Sequence, residues 1–171
     1  MNEGKKFEKQ FKSSIPSYCL VHRLRDSSQS YNNSIGTTFS WDNECDFFLF
    51  DSKKHIFYAL ELKSTKFKTM NFQCSKDDKT SKMIKYHQLE SLRKFSKYDG
   101  VTSGLILNFR DEEHQMERTY FQNIIYFDQM VEEINKKSFN EIDLLMHNAI
   151  KINGVKKRVN YIWDIESFLN I

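Results

Sequence analysis

The chain has 171 residues, 29% charged and 39% hydrophobic, which suits one soluble domain with a real core and excludes a disordered chain. No apolar run approaches a membrane span, and the opening MNEGKKFEKQ lacks the apolar stretch of a signal peptide, so a cytoplasmic protein without membrane contact is expected. The net charge of +3 is mild. Its cations cluster at Lys5, Lys6, Lys9 and Lys12, at Lys63, Lys66 and Lys68, and at Lys156, Lys157 and Arg158. Such clusters fit a nucleic-acid footprint, although an ordinary solvated surface accounts for them as well. Cys19, Cys45 and Cys74 are odd in number and lack metal-ligand spacing, so they read as reduced thiols.

In chain order, Phe7, Phe11 and Ile15 recur every four residues and predict a helix from Glu3 to Ser14, stopped by Pro16. Tyr18 to Leu24 reads as a strand. Residues 26–41 are rich in Ser, Asn, Thr and Gly and predict a long loop, a feature that usually carries function. Phe47 to Phe50 and His55 to Leu62 predict a hairpin around the turn Asp51 to Lys54. Lys82 to Lys97 predicts a helix. Gly104 to Phe109 and Thr119 to Ile125 predict two strands around the acidic loop Asp111 to His114. Asp128 should cap a helix to Lys137, and Asn140 one from Glu141 to His147. Tyr161, Ile162, Trp163 and Ile165 should pack back on the domain. No repeat or linker interrupts the pattern, so residues 1–171 are expected to form a single α/β domain.

The stretch CDFFLFDSKKHIFYALELKS, Cys45 to Ser64, carries Asp46, Glu61 and Lys63 on two apolar strands. Side chains alternate along a strand, so Glu61 and Lys63 share a face with Leu62 turned away. If the hairpin pairs, Asp46 approaches them, and two carboxylates meet an ammonium. Hard cations such as Mg²⁺ take one or two carboxylates and keep several waters, with the Leu62 carbonyl as a third protein ligand. Lys63 would then orient the water or stabilise charge on a phosphodiester under attack. A lone E-x-K is also accounted for by a surface ion pair, and these residues alone leave both readings open. Gln88 lies on the helix face of Ile84, Leu92 and Phe95 and needs hydrogen-bond partners, which a metal-bound water or a phosphate would supply. Glu8 borders the apolar face of the first helix and could reach a second cation or the attacking water, or stay a solvated carboxylate.

These residues stand in a recognisable order. Gly4-Lys5-Lys6-Phe7-Glu8 opens a helix, Cys45-Asp46-Phe47 opens a strand, Glu61-Leu62-Lys63-Ser64-Thr65 closes the next, and His87-Gln88 lies in the following helix. In this order the sequence resembles the RecU-type Holliday-junction resolvases of the PD-(D/E)xK nuclease superfamily. Later segments, "YDGVTSGLILNF", "TYF", "KKSFNEIDL" and "KKRVNYIWDI", extend the resemblance over most of the chain. It implies a restriction-endonuclease-like α/β core with a mixed central sheet flanked by helices. It also implies a Mg²⁺-dependent homodimer, with Mn²⁺ able to substitute, that nicks two opposed strands of a four-way DNA junction. Carried over by position, Asp46 and Glu61 bind metal, Lys63 is the catalytic lysine, and Gln88 and Glu8 support the site. The family's junction-entering stalk corresponds to residues 26–41. There Tyr31 and Phe39 are candidates to stack on bases, Thr37 and Thr38 to bond the backbone, and Arg23 and Arg25 at the loop's base to contact phosphates. Lys66 and Lys68 extend that set.

The departures are the short, Ser/Asn-rich loop, the missing basic N-terminal extension, and Glu44 where the family often has Thr. The compact layout looks like versions from phages and mobile elements. Two alternatives remain: another nuclease on the same core, of restriction or repair type, and a non-catalytic DNA-binding module. The second predicts a broken ligand set, whereas Asp46, Glu61 and Lys63 are all present.

Overall fold

The computed structural model describes residues 3–24 and 43–170. The loop expected over 26–41, with Tyr31, Thr37, Thr38 and Phe39, and Arg25 at its base, lies outside the described residues. The first helix, α1 (Glu3–Ser14), forms where its apolar spacing predicts. Phe7 and Phe11 are buried four residues apart on one face, each worth about 1.5–3 kcal/mol. Glu3 in the first turn and Lys12 in the last complement the helix dipole.

Among the described residues the centre is a six-stranded mixed sheet in the order β1-β2-β3-β5-β6-β8. It comprises β1 (Cys19–Arg23), β2 (Phe47–Asp51), β3 (Ile56–Thr65), β5 (Val101–Asp111), β6 (Met116–Asn123) and β8 (Ile150–Ile152). The β3–β5 pair is parallel and the other neighbours are antiparallel. A parallel pair needs a crossover, and α2 (Tyr86–Phe95) lies on it. The hairpin turn is Ser52 to His55, one residue later than expected. Asp51 ends β2 and its Oδ1 accepts from the Lys53 and Lys54 N–H groups, while His55 takes a left-handed φ of 57°.

Strand alternation divides the core. Leu60, Leu62 and Ile106 face one side, against Phe7 and Phe11 of α1, Trp163 and Phe168. Ala59, Leu105 and Leu107 face the other, against Leu89 and Leu92 of α2 and Phe127 and Met130 of α3 (Ile124–Ile134). Near the second side lie α4 (Glu141–Met146) and a small sheet of β4 (Thr69–Asn71) with β7 (Ser138–Asn140). Near the first lie the hairpin β9 (Gly154–Lys157) and β10 (Asn160–Trp163), and α5 (Ile165–Leu169).

Two helix starts and one packing position also differ from expectation. The second helix starts at Tyr86 rather than Lys82. The backbone of Ile84 is committed elsewhere: its N–H donates to the Asn71 carbonyl at 3.1 Å and its carbonyl accepts from Gln73 at 2.9 Å. The third helix begins at Ile124, capped by Asn123, whose side chain accepts from the Ile125 N–H. Asp128 is not its cap but a bidentate partner of Arg93, at 2.9 and 2.7 Å. Ile162 does not pack back; it is 45% exposed, while Tyr161, Trp163 and Ile165 are buried. Asn140 caps α4 as expected, bonding the N–H groups of Ile142 and Asp143.

Candidate active site

Asp46 sits one residue before β2 and is fixed from both sides. Its N–H donates to the Leu60 carbonyl at 3.1 Å, and its carbonyl accepts from Leu24 at 2.9 Å. Its side chain continues the ladder, Oδ2 accepting from the Leu62 N–H at 2.7 Å. In an extended strand the N–H and C=O of one residue leave on the same side, so the Leu62 carbonyl also points toward the Asp46 side. Glu61 and Lys63 flank Leu62 on the opposite face of the strand from its side chain. The Lys63 Nζ bonds Glu61 Oε1 at 2.6 Å. Gln88, in the first turn of α2, donates its Nε2 to the same oxygen and accepts from the Lys85 N–H at 3.0 Å through Oε1. Both ends of the Gln88 amide are therefore used within the protein.

Glu61 is 2% exposed, and burial pushes its carboxyl up to about 7. The Lys63 ammonium opposes that rise and the Asp46 carboxylate reinforces it. Burial also raises Asp46, against the bond from Leu62, the charge of Lys63 and a hydrogen bond with Glu61. Burial outweighs the ion pair, so this is a pair of crowded carboxylates with too little positive charge beside them. That is the environment a cation relieves. Among the described residues no group of three or more His, Cys, Asp and Glu is gathered for a metal. Two carboxylates, a backbone carbonyl and room for waters would be a donor set suited to a hard ion such as Mg²⁺ rather than Zn²⁺.

Glu8 on α1 is held by Arg23, the last residue of β1, whose Nε donates to Glu8 Oε2 at 2.8 Å. Arg23 is close enough to Asp46 to favour its charged form. Its guanidinium thus bridges the margin of the site, a role that charge counting did not suggest; the signal was its position opposite Phe47, next to Asp46. Lys66 and Lys68 are exposed in the turn that follows β3, away from the carboxylates along the strand. Glu44 is exposed, and Cys45 is buried with its thiol pushed up to about 12, so it behaves as an apolar side chain.

No family model and no curated protein matches the sequence. Among solved structures the chain resembles that of Archaeoglobus fulgidus Hjc, a Holliday junction resolvase from an archaeal hyperthermophile. The match has a TM-score of 0.50 and 13% identity, and covers 86% of this chain and 93% of that one. The chain shares the mixed α/β nuclease fold of this resolvase. No helix among the described residues is long and apolar enough to cross a membrane.

Proposed function

We propose that this protein is a structure-selective endodeoxyribonuclease of the RecU type that resolves four-way DNA junctions by metal-dependent phosphodiester hydrolysis. The observation that carries the reading is the convergence of Asp46, Glu61 and Lys63 around Leu62, on a fold shared with a junction resolvase. Asp46, Glu61 and the Leu62 carbonyl would hold Mg²⁺, with Mn²⁺ able to replace it. A cation in that place supplies charge neutralisation at the phosphate and a more acidic water.

The chain's own residues do the rest. The Leu62 N–H orients Asp46, and Gln88 orients Glu61. Lys63, held on Glu61 in the free protein, turns its ammonium to the phosphate as negative charge builds on it. Glu8, steadied by Arg23, lies at the margin where the attacking water enters. Residues 26–41 bracket the junction, residues 1–171 act as one nuclease domain, and Lys66 and Lys68 meet the DNA backbone.

Two opposed nicks require two sites, so the working form is a symmetric homodimer. Ile142, Leu145 and Met146 share one face of α4 and are 67, 54 and 75% exposed, an apolar surface of the kind subunit contacts cover. The decisive experiment compares synthetic four-way junctions, linear duplexes and flaps with and without Mg²⁺. Paired Mg²⁺-dependent nicks in opposed strands of the junction are expected. Equal cutting of linear duplex identifies another nuclease on this core, and binding without cutting identifies a DNA-binding module. Sedimentation that shows a monomer both free and on DNA rules out the dimer.

A further inference from the structure

The strand that carries Glu61 and Lys63 ends in Thr65, and the next residues are Lys66, Phe67 and Lys68. Phe67 is 65% exposed, an unusual place for the most readily buried kind of aromatic ring. Cations flank it on both sides, both exposed, and the Lys66 ammonium lies 6.0 Å from the ring centroid. The turn is braced. Thr65 is buried, and its hydroxyl accepts from the Phe67 N–H at 3.1 Å, the side-chain-to-backbone bond that fixes a Thr turn. Immediately after, β4 pairs with β7, and Met70 and Phe139 are both buried at that pairing. The ring is thus presented on a fixed support between two ammonium groups.

We propose that Phe67 stacks on an unpaired or unstacked base of the DNA, and that Lys66 and Lys68 hold the neighbouring phosphates. The inference rests on the nuclease reading and adds to it the residue that senses an open base near the cut. An aromatic ring set among cations is the pattern that tracks exposed bases without reading their sequence. A purely apolar partner surface would pay to desolvate both lysines, which argues against a protein occupant. Reach is suitable as well. Phe67 follows Lys63 by four chain steps, at most about 14 Å between their Cα atoms, or about four base steps at about 3.4 Å each. The open base is therefore placed a few base steps from the scissile phosphate.

The test uses the full chain carrying Phe67→Trp, titrated in metal-free buffer with a four-way junction, a single strand and a linear duplex of the same sequence. Wild-type emission is subtracted to remove the native tryptophans. Quenching of the introduced indole by the junction and the single strand, with roughly unchanged emission on duplex, is expected. Phe67→Ala lowers the affinity ratio of junction over duplex by roughly 5- to 150-fold, and Phe67→Tyr restores it. Lys66→Ala and Lys68→Ala weaken junction and duplex alike and reduce the salt slope. An indole that stays bright on saturating junction, or that is quenched equally by duplex, overturns the proposal, as does a Phe67→Ala protein with wild-type preference. Failure to bind any DNA overturns it too. Quenching without Mg²⁺-dependent cleavage leaves Phe67 assigned and refutes the nuclease reading, so the two fail separately.

Discussion

β3 and β5 carry two buried polar clusters, one on each face of the sheet. On the face toward α1, Asn108 is fully buried and every polar atom of its amide is used. Its Oδ1 accepts from Ser64 at 2.7 Å, and its Nδ2 donates to Thr119 at 3.0 Å and Glu117 at 3.1 Å. Arg110 closes the chain by donating to the Ser64 hydroxyl at 3.1 Å. On the face toward α2, Glu61 is equally buried, and burial raises its carboxyl and that of Asp46 despite the Lys63 ammonium and the Arg23 guanidinium nearby. The first cluster is a neutral network with its charges at the rim and serves the fold. The second keeps a conflict of buried charge, which raises the carboxyls of both Glu61 and Asp46. Buried polarity alone therefore does not mark a site; uncompensated buried charge does.

Glu61→Gln breaks the contrast most sharply. The amide oxygen still accepts from Lys63 and Gln88, and its NH₂ bonds Asp46 in place of the proton Glu61 shares there. Cleavage in Mg²⁺ should fall by roughly 10³-fold or more, since several kcal/mol of charge stabilisation goes with the ligand. Stability of the metal-free protein should rise. The Glu61 carboxyl moves from 4.5 in the unfolded chain up to about 7 in the fold. The wild type therefore holds its full stability below pH ~4.5 and loses it as pH climbs through ~7. The variant does not titrate, so its advantage is on the order of 3 kcal/mol at pH 8 and vanishes toward pH 4. Urea melts at both pH values in EDTA measure it; equal stability at pH 8 would mean the two carboxylates are not in conflict.

Lys63→Ala tests whether the ammonium serves the reaction or the DNA. Single-turnover cleavage should drop about 10²- to 10³-fold while junction affinity stays within a factor of about two. A matched fall in both would make Lys63 one phosphate contact among many. Asn108→Ala probes the other cluster. Ser64, Thr119 and Glu117 lose a partner, Thr119 in a fully buried position, at a cost of about 1–3 kcal/mol. Cleavage per folded molecule should be unchanged. A variant that melts normally but cuts poorly would join the two clusters into one functional unit.

The asymmetry between these clusters also explains what could be read in the sequence. Asp46, Glu61 and Lys63 stand out because charge is costly in an apolar strand, and alternation places Glu61 and Lys63 together without any tertiary information. Asn108 and Thr119 are unremarkable in a strand pattern; only the pairing of β3, β5 and β6 brings Ser64, Asn108 and Thr119 into line. The same holds for the helix starts. Asn140 was legible as a cap because polar residues preceded a clear apolar pattern. Ile124 and Ile125 prolong a strand-like run, so the cap at Asn123 was hidden behind them. Ile84 fits a helical stripe by spacing, but a bridge to Phe72 removes its backbone from the helix, and no local signal reports a partner twelve residues away. Arg23 read as a phosphate contact at the base of the loop, and its bond to Glu8 was hidden because that partner sits on another element.

The smallest expected effect belongs to Gln88, a positioning residue whose side chain connects the start of α2 to Glu61. Gln88→Met keeps the volume and removes both bonds. Loss of the acceptor for the Lys85 N–H loosens the first turn of the helix by about 0.5–1 kcal/mol. Loss of the donor to Glu61 matters more for function, because an N–H aimed at a carboxylate favours its charged form. Without it Glu61 ionises less readily, so the acid limb of the cleavage profile should move to higher pH. At pH 8 and saturating Mg²⁺ the rate should recover to within about tenfold of wild type, since the ligands themselves are intact. A merely structural Gln88 would lower the melting temperature and leave the limb where it was. Cleavage measured from pH 5.5 to 9 at several Mg²⁺ concentrations separates the two, and an unmoved limb with a uniformly lower rate would sink the assignment of Gln88 to Glu61.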